Sequence, residues 1–281
     1  MSDDPEVGQS ISVDGVATNY HDVGNGPVLL MLHGSGPGVS AWANWRGVIP
    51  ELADQFRVIA PDLLGFGRTL PDLGHRYDMD TWVRHLLGFV DSLGLKKFSV
   101  VGNSFGGGLA MRLALARPDS VTRLVVMGSS GIESTITPGL EAVWGFTPSF
   151  DNMRRLLDIF AYDRKRVTDE LAELRLAAAT RPGVQEAFSS MFPAPRQAAL
   201  DRQNIPESDL ARIAQPTLLL HGRDDQVIPV SNSLGLHQII DNSQLHVFGR
   251  CGHWVQIEER DNFVALVSRF VGEETSNGSS R

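Results

Sequence analysis

The segment 98–108 places one serine in a setting that few backbone geometries can satisfy. An apolar, β-branched run ends at Gly102, Ser104 stands between Gly102 and Gly106, and small residues then begin a helix. Glycine on both sides of Ser104 lets the chain turn from strand to helix without a Cβ clash. The pattern therefore predicts a tight strand–turn–helix that lifts the Ser104 hydroxyl above a sheet, at the positive end of the helix. The alternative is a serine that only fills a tight turn.

Apolar runs alternate with helix-like periodicity over most of the chain. The runs predict strands at 10–13, 17–22, 28–32, 56–60, 98–101, 123–127, 216–220 and 244–248. The periodic segments predict helices at 41–53, 81–93, 106–117, 231–240 and 260–271. We expect Ser40 and Asp80 to cap the first two helices, and Asn25-Gly26 to form a hairpin turn before the third strand. Such alternation indicates an α/β protein with a mostly parallel, eight-stranded sheet and helices on both faces.

The pattern changes in the middle of the chain, where no buried strand is recognisable. Segments 153–162, 167–180 and 184–191 have helical periodicity instead, and several prolines separate them. We interpret residues 135–206 as a helical cap inserted between core strands. Residues 1–134 and 207–281 would then form the core.

Composition narrows the possible partners and the compartment. The formal net charge is −8, which argues against nucleic acid or an anionic membrane as partner but allows a small anionic substrate bound by a local arginine. No apolar run approaches the roughly 20 residues of a membrane span, and the acidic N-terminus lacks the apolar core of a signal peptide. The single cysteine, Cys251, excludes an internal disulfide and fits a cytoplasmic location.

A serine hydroxyl needs a base and an orienting carboxylate to act as a nucleophile at neutral pH. Of the eight histidines, His253 follows the last predicted strand, where parallel sheets place chemistry, and it is the predicted base. Asp225 in the segment 225–229, which has the form D-x-x-I-P, is the preferred acid. Asp224 beside it and Asp62 after an earlier strand are the alternatives. The partners then follow in the chain order Ser, Asp, His.

Acyl transfer also needs hydrogen-bond donors for the oxyanion. The backbone N–H groups of Phe105 and Ser35 are the candidates, since Ser35 lies in the glycine-rich segment 33–38 after the third strand. The alternative for this segment is a flexible surface loop.

Four segments, 33–45, 102–108, 152–163 and 245–254, together resemble the meta-cleavage product hydrolases, most closely the branch that acts on 2-hydroxymuconate semialdehyde. These enzymes have the α/β-hydrolase fold and cut a C–C bond in ring-fission products of catechols. The resemblance covers nearly the whole chain, including the cap. The combination of H-G-S-G-P-G, G-N-S-x-G-G and C-G-H-W is much narrower than G-x-S-x-G alone.

The resemblance implies a set of residues that bind the substrate's carboxylate end: Gly34, Ser35, Gly36, Asn44, Asn103, Arg175 and Trp254. A guanidinium offers a bidentate fork to such an anion. Arg175 could instead form a helix-surface ion pair, but no acid lies three or four residues from it. Asn44 could be a polar residue on a helix face, and Trp254 could be core packing.

A second implied set would shape the pocket for the substituent on C6 of the substrate: Ser130, Trp144, Phe160, Leu200, Val227 and Ile228. Each of these taken singly could be ordinary packing. Lys165 departs from the small hydroxyl residue of relatives, and it could face solvent or add a second positive charge to the site.

The resemblance implies cleavage of the C5–C6 bond of a 2-hydroxy-6-oxohexa-2,4-dienoate, giving 2-hydroxypenta-2,4-dienoate and a carboxylic acid. We expect no metal and no organic cofactor, and a homodimer or larger homo-oligomer. A carboxylesterase would share Ser104, Asp225 and His253 but would have no need for Arg175. A small-molecule receptor with incidental turnover is the alternative from another class. Haloalkane dehalogenases and epoxide hydrolases are disfavoured, because they carry aspartate at the position of Ser104.

Overall fold

A sheet of eight strands organises the molecule, in the order β1-β2-β4-β3-β5-β6-β7-β8. The computed structural model describes residues 4–72 and 74–273. The strands are Gln9–Val13 (β1), Val16–Val23 (β2), Val28–Leu32 (β3), Arg57–Pro61 (β4), Phe98–Asn103 (β5), Val121–Met127 (β6), Thr217–Gly222 (β7) and Ser243–Phe248 (β8). β1 with β2 and β2 with β4 are antiparallel, and the remaining pairs are parallel. The predicted α/β architecture is confirmed.

Helices cover both faces of the sheet because its strands are apolar on both sides. Along β3, Leu30 and Leu32 face one apolar cluster, and Leu29 and Met31 face the other. The helices of this part of the chain are Ala41–Trp45 (α1), Ile49–Ala53 (α2), Met79–Ser92 (α3), Phe105–Ala116 (α4), Val230–Ile239 (α11), Val255–Glu258 (α12) and Arg260–Gly272 (α13). The first cluster holds side chains of α3 and α4, and the second those of α1, α2 and α13.

The segment between β6 and β7 is helical, as the cap prediction expects. It contains Pro138–Trp144 (α5), Phe150–Phe160 (α6), Asp169–Ala179 (α7), Val184–Met191 (α8), Gln197–Asp201 (α9) and Glu207–Leu210 (α10), with a 3-10 turn at Arg164–Arg166. Every residue from 128 to 216 is described, and none lies in a strand. The division into a core and a cap of residues 135–206 stays a prediction. In the described part of the chain, the helices are too short or too polar to cross a bilayer.

Three local predictions were wrong. Asn25-Gly26 does not close a hairpin, because β4 lies between β2 and β3 in the sheet. The helix predicted at 41–53 is two short helices, since Pro50 is tolerated in a first helical turn but not in a helix interior. Asp78 rather than Asp80 caps α3, accepting a hydrogen bond from the Thr81 N–H at 2.9 Å.

Candidate active site

Ser104 occupies the turn between β5 and α4 in a strained conformation. Its φ of 53° and ψ of −118° lie where non-glycine residues are rare. The Ser104 N–H donates to the Met127 carbonyl at 2.8 Å, which ties the turn to β6. A Cβ on Gly102 would lie 2.4 Å from the Gly106 carbonyl oxygen, and a Cβ on Gly106 would lie 2.4 Å from a carbonyl oxygen of β3. Both glycines are therefore required by close backbone packing, as the sequence pattern predicts.

Asp225 and His253 form a buried pair at the ends of β7 and β8. The His253 Nδ1 lies 2.7 Å from the Asp225 Oδ2, and the Asp225 Oδ1 accepts from the Val227 and Ile228 N–H groups at 2.7 and 3.0 Å. An ionised carboxylate can only accept, so the His253 Nδ1 is the donor and its Nε2 is the nitrogen left to take a proton from a serine hydroxyl. Burial disfavours ionised Asp225, but His253 and the other hydrogen-bond partners outweigh it and hold the pKa of Asp225 well below its ordinary value.

The alternative acids have other partners. The Asp224 Oδ2 accepts from the Arg250 N–H at 2.9 Å and closes the loop beside β8. Asp62 accepts from the Ala41 N–H at 2.7 Å and the Arg68 N–H at 2.8 Å, and burial raises its pKa to about 6. Of the three candidate acids, Asp225 is the one in contact with His253.

Two further histidines at strand ends have structural partners. His221 is fully buried, and its Nε2 lies 2.9 Å from the Ile228 carbonyl oxygen and 3.4 Å from the Asp225 Oδ2. The His33 Nε2 accepts from the Leu63 N–H at 2.9 Å, so its Nδ1 donates to the Gly34 carbonyl at 2.7 Å. Burial lowers the pKa of His33 to about 4, which keeps it neutral at pH 7. These side chains hold the loops around the site.

Phe160, the last residue of α6, contacts the candidate base with its backbone and with its ring. The His253 N–H donates to the Phe160 carbonyl at 2.8 Å. The Phe160 ring stacks on the imidazole with centroids 5.7 Å apart, and on the Trp254 ring with centroids 5.1 Å apart. A residue from the helical segment therefore fixes the position of His253.

Glu258 connects the same two regions and was missed by the sequence analysis. Its Oε2 accepts from the Tyr162 and Asp163 N–H groups at 2.8 and 2.9 Å, and its Oε1 accepts from the Gly252 N–H at 2.8 Å. Burial raises the pKa of Glu258, although these donors oppose that shift. All three donors are backbone groups, so no side-chain pattern in the sequence could have indicated this contact.

A cavity opens beside the Asp225–His253 pair. Its wall contains the whole carboxylate-binding set implied by the resemblance, together with His253 and Phe160. Five further wall residues were not predicted: Pro37, Val39, Met153, Leu156 and Leu157. A Cβ on Gly34 would lie 3.1 Å from the Ser104 Cβ, so the glycine-rich loop packs directly against the serine.

Arg175 and Asn44 have unused hydrogen-bonding capacity in this wall. The Arg175 Nη1 donates to the Gly38 carbonyl at 3.5 Å, and its guanidinium makes no ion pair with the described carboxylates. Burial, followed by the charge of Arg46, lowers the pKa of Arg175 to about 10, which leaves it protonated at neutral pH. The Asn44 Nδ2 is buried and lacks a partner among the described residues. Both groups could bind an anionic ligand.

The backbone positions proposed for the oxyanion are close to the serine. Phe105 is the first residue of α4, so its N–H has no partner within the helix. The Ser35 side chain is fixed by Trp144, whose Nε1 donates to the Ser35 Oγ at 3.0 Å. The Trp144 ring in turn stacks on Phe192 with centroids 4.4 Å apart. Trp144 thus supports the loop from outside the cavity wall.

The set predicted to surround the C6 substituent is only partly at this cavity. Phe160 lies in the wall, whereas Ser130, Trp144, Leu200, Val227 and Ile228 are buried outside it. The apolar part of the wall comes instead from one face of α6, at Met153, Leu156 and Leu157, whose i, i+3, i+4 spacing was visible in the sequence. The substituent role of the other five residues stays a prediction. Lys165 is exposed and is absent from the wall.

Known proteins match this chain over nearly its whole length. Residues 27–260 match the family model described as alpha/beta hydrolase fold. Together, the sheet order, the strained serine turn and the buried Asp225–His253 pair are those of an α/β-hydrolase.

More specific matches are similarly extensive. The 2-hydroxy-6-oxo-2,4-heptadienoate hydrolase of Pseudomonas putida (strain F1) is 55% identical, covering 96% of this chain and 98% of its own length. The 2-hydroxymuconate semialdehyde hydrolase of Pseudomonas sp. (strain CF600) is 54% identical, covering 96% and 95%. The solved meta-cleavage product hydrolase CumD of Pseudomonas fluorescens IP01 has a TM-score of 0.95 at 54% identity, covering 96% of this chain and 100% of CumD. The chain therefore belongs to the meta-cleavage product hydrolases, as the sequence resemblance predicted.

Proposed function

We propose that the protein hydrolyses the C5–C6 bond of 2-hydroxy-6-oxohexa-2,4-dienoate-type ring-fission products in aromatic catabolism. The products are 2-hydroxypenta-2,4-dienoate and a carboxylic acid. The observation that carries this proposal is that one cavity wall contains both an arginine without a carboxylate partner, Arg175, and the base of an Asp–His pair, His253. The names of the similar hydrolases describe substrates of the same dienoate class.

Substrate binding begins at the carboxylate end. Arg175 offers two parallel N–H groups to the carboxylate, and the Asn44 Nδ2 has an unused donor beside it. Asn103 lies next to the serine, and Trp254 closes the wall over the planar dienoate. A ligand anchored at Arg175 would extend along the cavity towards Gly34, which packs against Ser104.

Cleavage requires an electron sink before the C–C bond can break. Ketonisation of the bound dienol places a proton on C5 and makes the C2 carbonyl available to accept electrons. His253, oriented by Asp225, then removes the Ser104 proton as Oγ attacks C6. The N–H groups of Phe105 and Ser35 stabilise the oxyanion. As the C5–C6 bond breaks, its electron pair forms the dienolate of the first product, which takes the proton held by His253 and leaves the imidazole able to act as base again.

Water completes the reaction by hydrolysing the acyl group on Ser104, with His253 as base. In the alternative route, His253 and Ser104 activate water, which adds to C6 and forms a gem-diol. Both routes conserve the same atoms and require no metal or organic cofactor. Trapping of an acylated Ser104 after rapid quenching would distinguish the two routes.

The test is to follow the visible absorbance of 2-hydroxymuconic semialdehyde and to quantify both products, with p-nitrophenyl acetate as a parallel substrate. We expect rapid decay of the dienoate, formation of one carboxylic acid per substrate, and loss of at least about a thousandfold in kcat for Ser104→Ala. Rapid ester hydrolysis without dienoate decay would instead identify a carboxylesterase. Tight dienoate binding without turnover would identify a receptor.

We also propose that the enzyme works in the cytoplasm as a homodimer or larger homo-oligomer. A single buried cysteine, Cys251, whose thiol pKa is raised by burial, is compatible with a reducing compartment. Light scattering after size-exclusion chromatography tests the assembly, because a monomer has a mass of 30.7 kDa. A particle of that mass at micromolar concentration would contradict the oligomer.

A further inference from the structure

A second cavity lies directly beside the active-site cavity, and we call it the outer cavity. The two cavities share the wall residues Asn44, Arg175 and Trp254. The rest of the outer wall is formed by Ala43, Arg46, Gly47, Arg166, Leu171, Gln256, Ile257 and Arg260. Because Arg175 stands in both walls, a ligand bound to it in one cavity borders the other.

The outer cavity is positively charged, although the whole chain carries a formal charge of −8. Four arginines and no acidic residue of the described chain line it. Arg260 is neutralised by Glu51 and Asp261. Arg166 is 3.8 Å from a carboxylate oxygen of the residue three positions before it. Arg46 and Arg175 are the two left without an ion-pair partner in the described chain, and the charge of Glu6 offsets only part of the repulsion at Arg175.

Arg46 and Arg175 are close enough to repel each other. After burial, the charge of Arg46 is the largest influence that lowers the pKa of Arg175. Neither side chain has an ion pair with the described residues. Two unpaired cations at one wall are electrostatically unfavourable, and an anion between them removes this cost.

Unpartnered polar atoms lie at the same place. The Asn44 Nδ2 and the Gln256 Oε1 are buried without a partner in the described chain, in residues that are only 7% and 2% exposed. Buried polar groups without partners are rare in folded proteins, and they mark positions where a ligand or water supplies the missing bond. A hydroxy acid offers both an acceptor for the amide and a donor for the carbonyl oxygen.

We propose that the outer cavity is an anion-binding vestibule, in which Arg46 receives the carboxylate of the incoming dienoate before Arg175 binds it in the active-site cavity. This inference rests on the proposed function. Arg46 is exposed, whereas Arg175 is half-buried, so the carboxylate passes from a solvated cation to a less solvated one. Arg46 thereby contributes to capture of substrate and not to bond cleavage.

The experiment compares steady-state cleavage of 2-hydroxymuconic semialdehyde by the parent enzyme, Arg46→Gln, Arg46→Lys and Arg84→Gln. Arg84 is an exposed arginine of α3, so Arg84→Gln makes the same change in net charge away from the vestibule. We expect Arg46→Gln to lower kcat/KM about three- to fivefold at low ionic strength, with a smaller change in kcat. Raising the salt concentration to about 0.5 M should remove most of the difference, because the screening length then falls to a few ångströms. Arg46→Lys should retain most of kcat/KM, and Arg84→Gln should match the parent.

Three outcomes would overturn the vestibule. They are equal losses in Arg46→Gln and Arg84→Gln, a loss that salt does not reduce, and a fall in kcat as large as the fall in kcat/KM. Absence of dienoate cleavage by the parent enzyme would instead refute the proposed function, so the two failures are distinguishable. Stopped-flow binding to Ser104→Ala provides an independent readout, in which removal of the Arg46 charge should slow association more than it speeds dissociation.

Discussion

Replacing Arg175 by glutamine tests whether this chain recognises a carboxylate and not simply an acyl group. Glutamine keeps much of the length and hydrogen-bonding capacity of the side chain but removes its charge. Truncating one partner of a buried charged hydrogen-bonded pair costs about 2–5 kcal/mol. Arg175 is half-buried and keeps its contact with the Gly38 carbonyl in the parent, so the lower part of that range applies. About 2–3 kcal/mol corresponds to a loss of roughly 30- to 150-fold in kcat/KM for the dienoate.

The assay pairs the dienoate with p-nitrophenyl acetate, which has no carboxylate to bind. Arg175→Gln should change kcat/KM for the ester by less than about twofold, since Ser104, Asp225 and His253 are untouched. Arg154→Gln is the matched control, because Arg154 is a partly buried arginine of α6 that contacts Asp169 and is absent from the cavity wall. Equal losses on the two substrates by Arg175→Gln would refute the assigned role, as would a loss of similar size in Arg154→Gln.

Three further predictions concern the base, its support and the glycine-rich loop. Asp225→Asn should lower kcat about ten-thousandfold in the dienoate assay, because His253 loses the acceptor that sets its tautomer. Since the pKa of Asp225 is depressed in the folded protein, its ionised form stabilises the fold above about pH 4, and this stabilisation is lost as the pH falls further. The free energies of unfolding in urea of the parent and Asp225→Asn should therefore converge at low pH. Glu258→Gln should lower kcat and should reduce the free energy of unfolding in urea by about 1–2 kcal/mol. Glu259→Gln, which removes a carboxylate with one side-chain hydrogen bond, should do neither, and equal effects of the two variants would contradict the role given to Glu258. Gly38→Ala should destabilise the protein by about 1–3 kcal/mol in the same unfolding assay, because φ at Gly38 is +67° and a Cβ would lie 2.6 Å from a backbone nitrogen of α7. Unchanged stability would show that the loop does not pack against α7 in this way.

The parts of the fold that were predictable depend on local chemistry. The turn at Ser104 needs glycine at 102 and 106 for reasons of backbone packing, so the pattern reports the geometry directly. Asp225 and His253 follow strands that end at the same edge of a parallel sheet, which brings them together although they are 28 residues apart in the chain. The residues of the cavity wall were predictable mainly from the family resemblance, because they come from distant segments of the chain.

The predictions that were wrong, and the contacts that were missed, concern features set by tertiary contacts. The dipeptide Asn-Gly is typical of hairpin turns, but strand order depends on which apolar faces pack together. Here β4 lies between β2 and β3, so these two strands do not pair as expected. Asp78 and Asp80 are both acceptable caps, and the backbone entering α3 selects the first. The contacts of Glu258 are with backbone groups, which carry no sequence signature.

The contacts of Phe160 have a consequence for anyone who wishes to change which ring-fission products this enzyme accepts. One residue forms part of the pocket surface, stacks on the imidazole of His253 and holds its backbone N–H. Shortening the Phe160 side chain would enlarge the pocket and would also remove the ring that stacks on the imidazole, so selectivity and turnover would change together. Leu156 and Leu157 line the same cavity, but the hydrogen bond to the His253 N–H and the stacked ring both come from Phe160, so the two leucines are the positions to change first when substrate range is engineered.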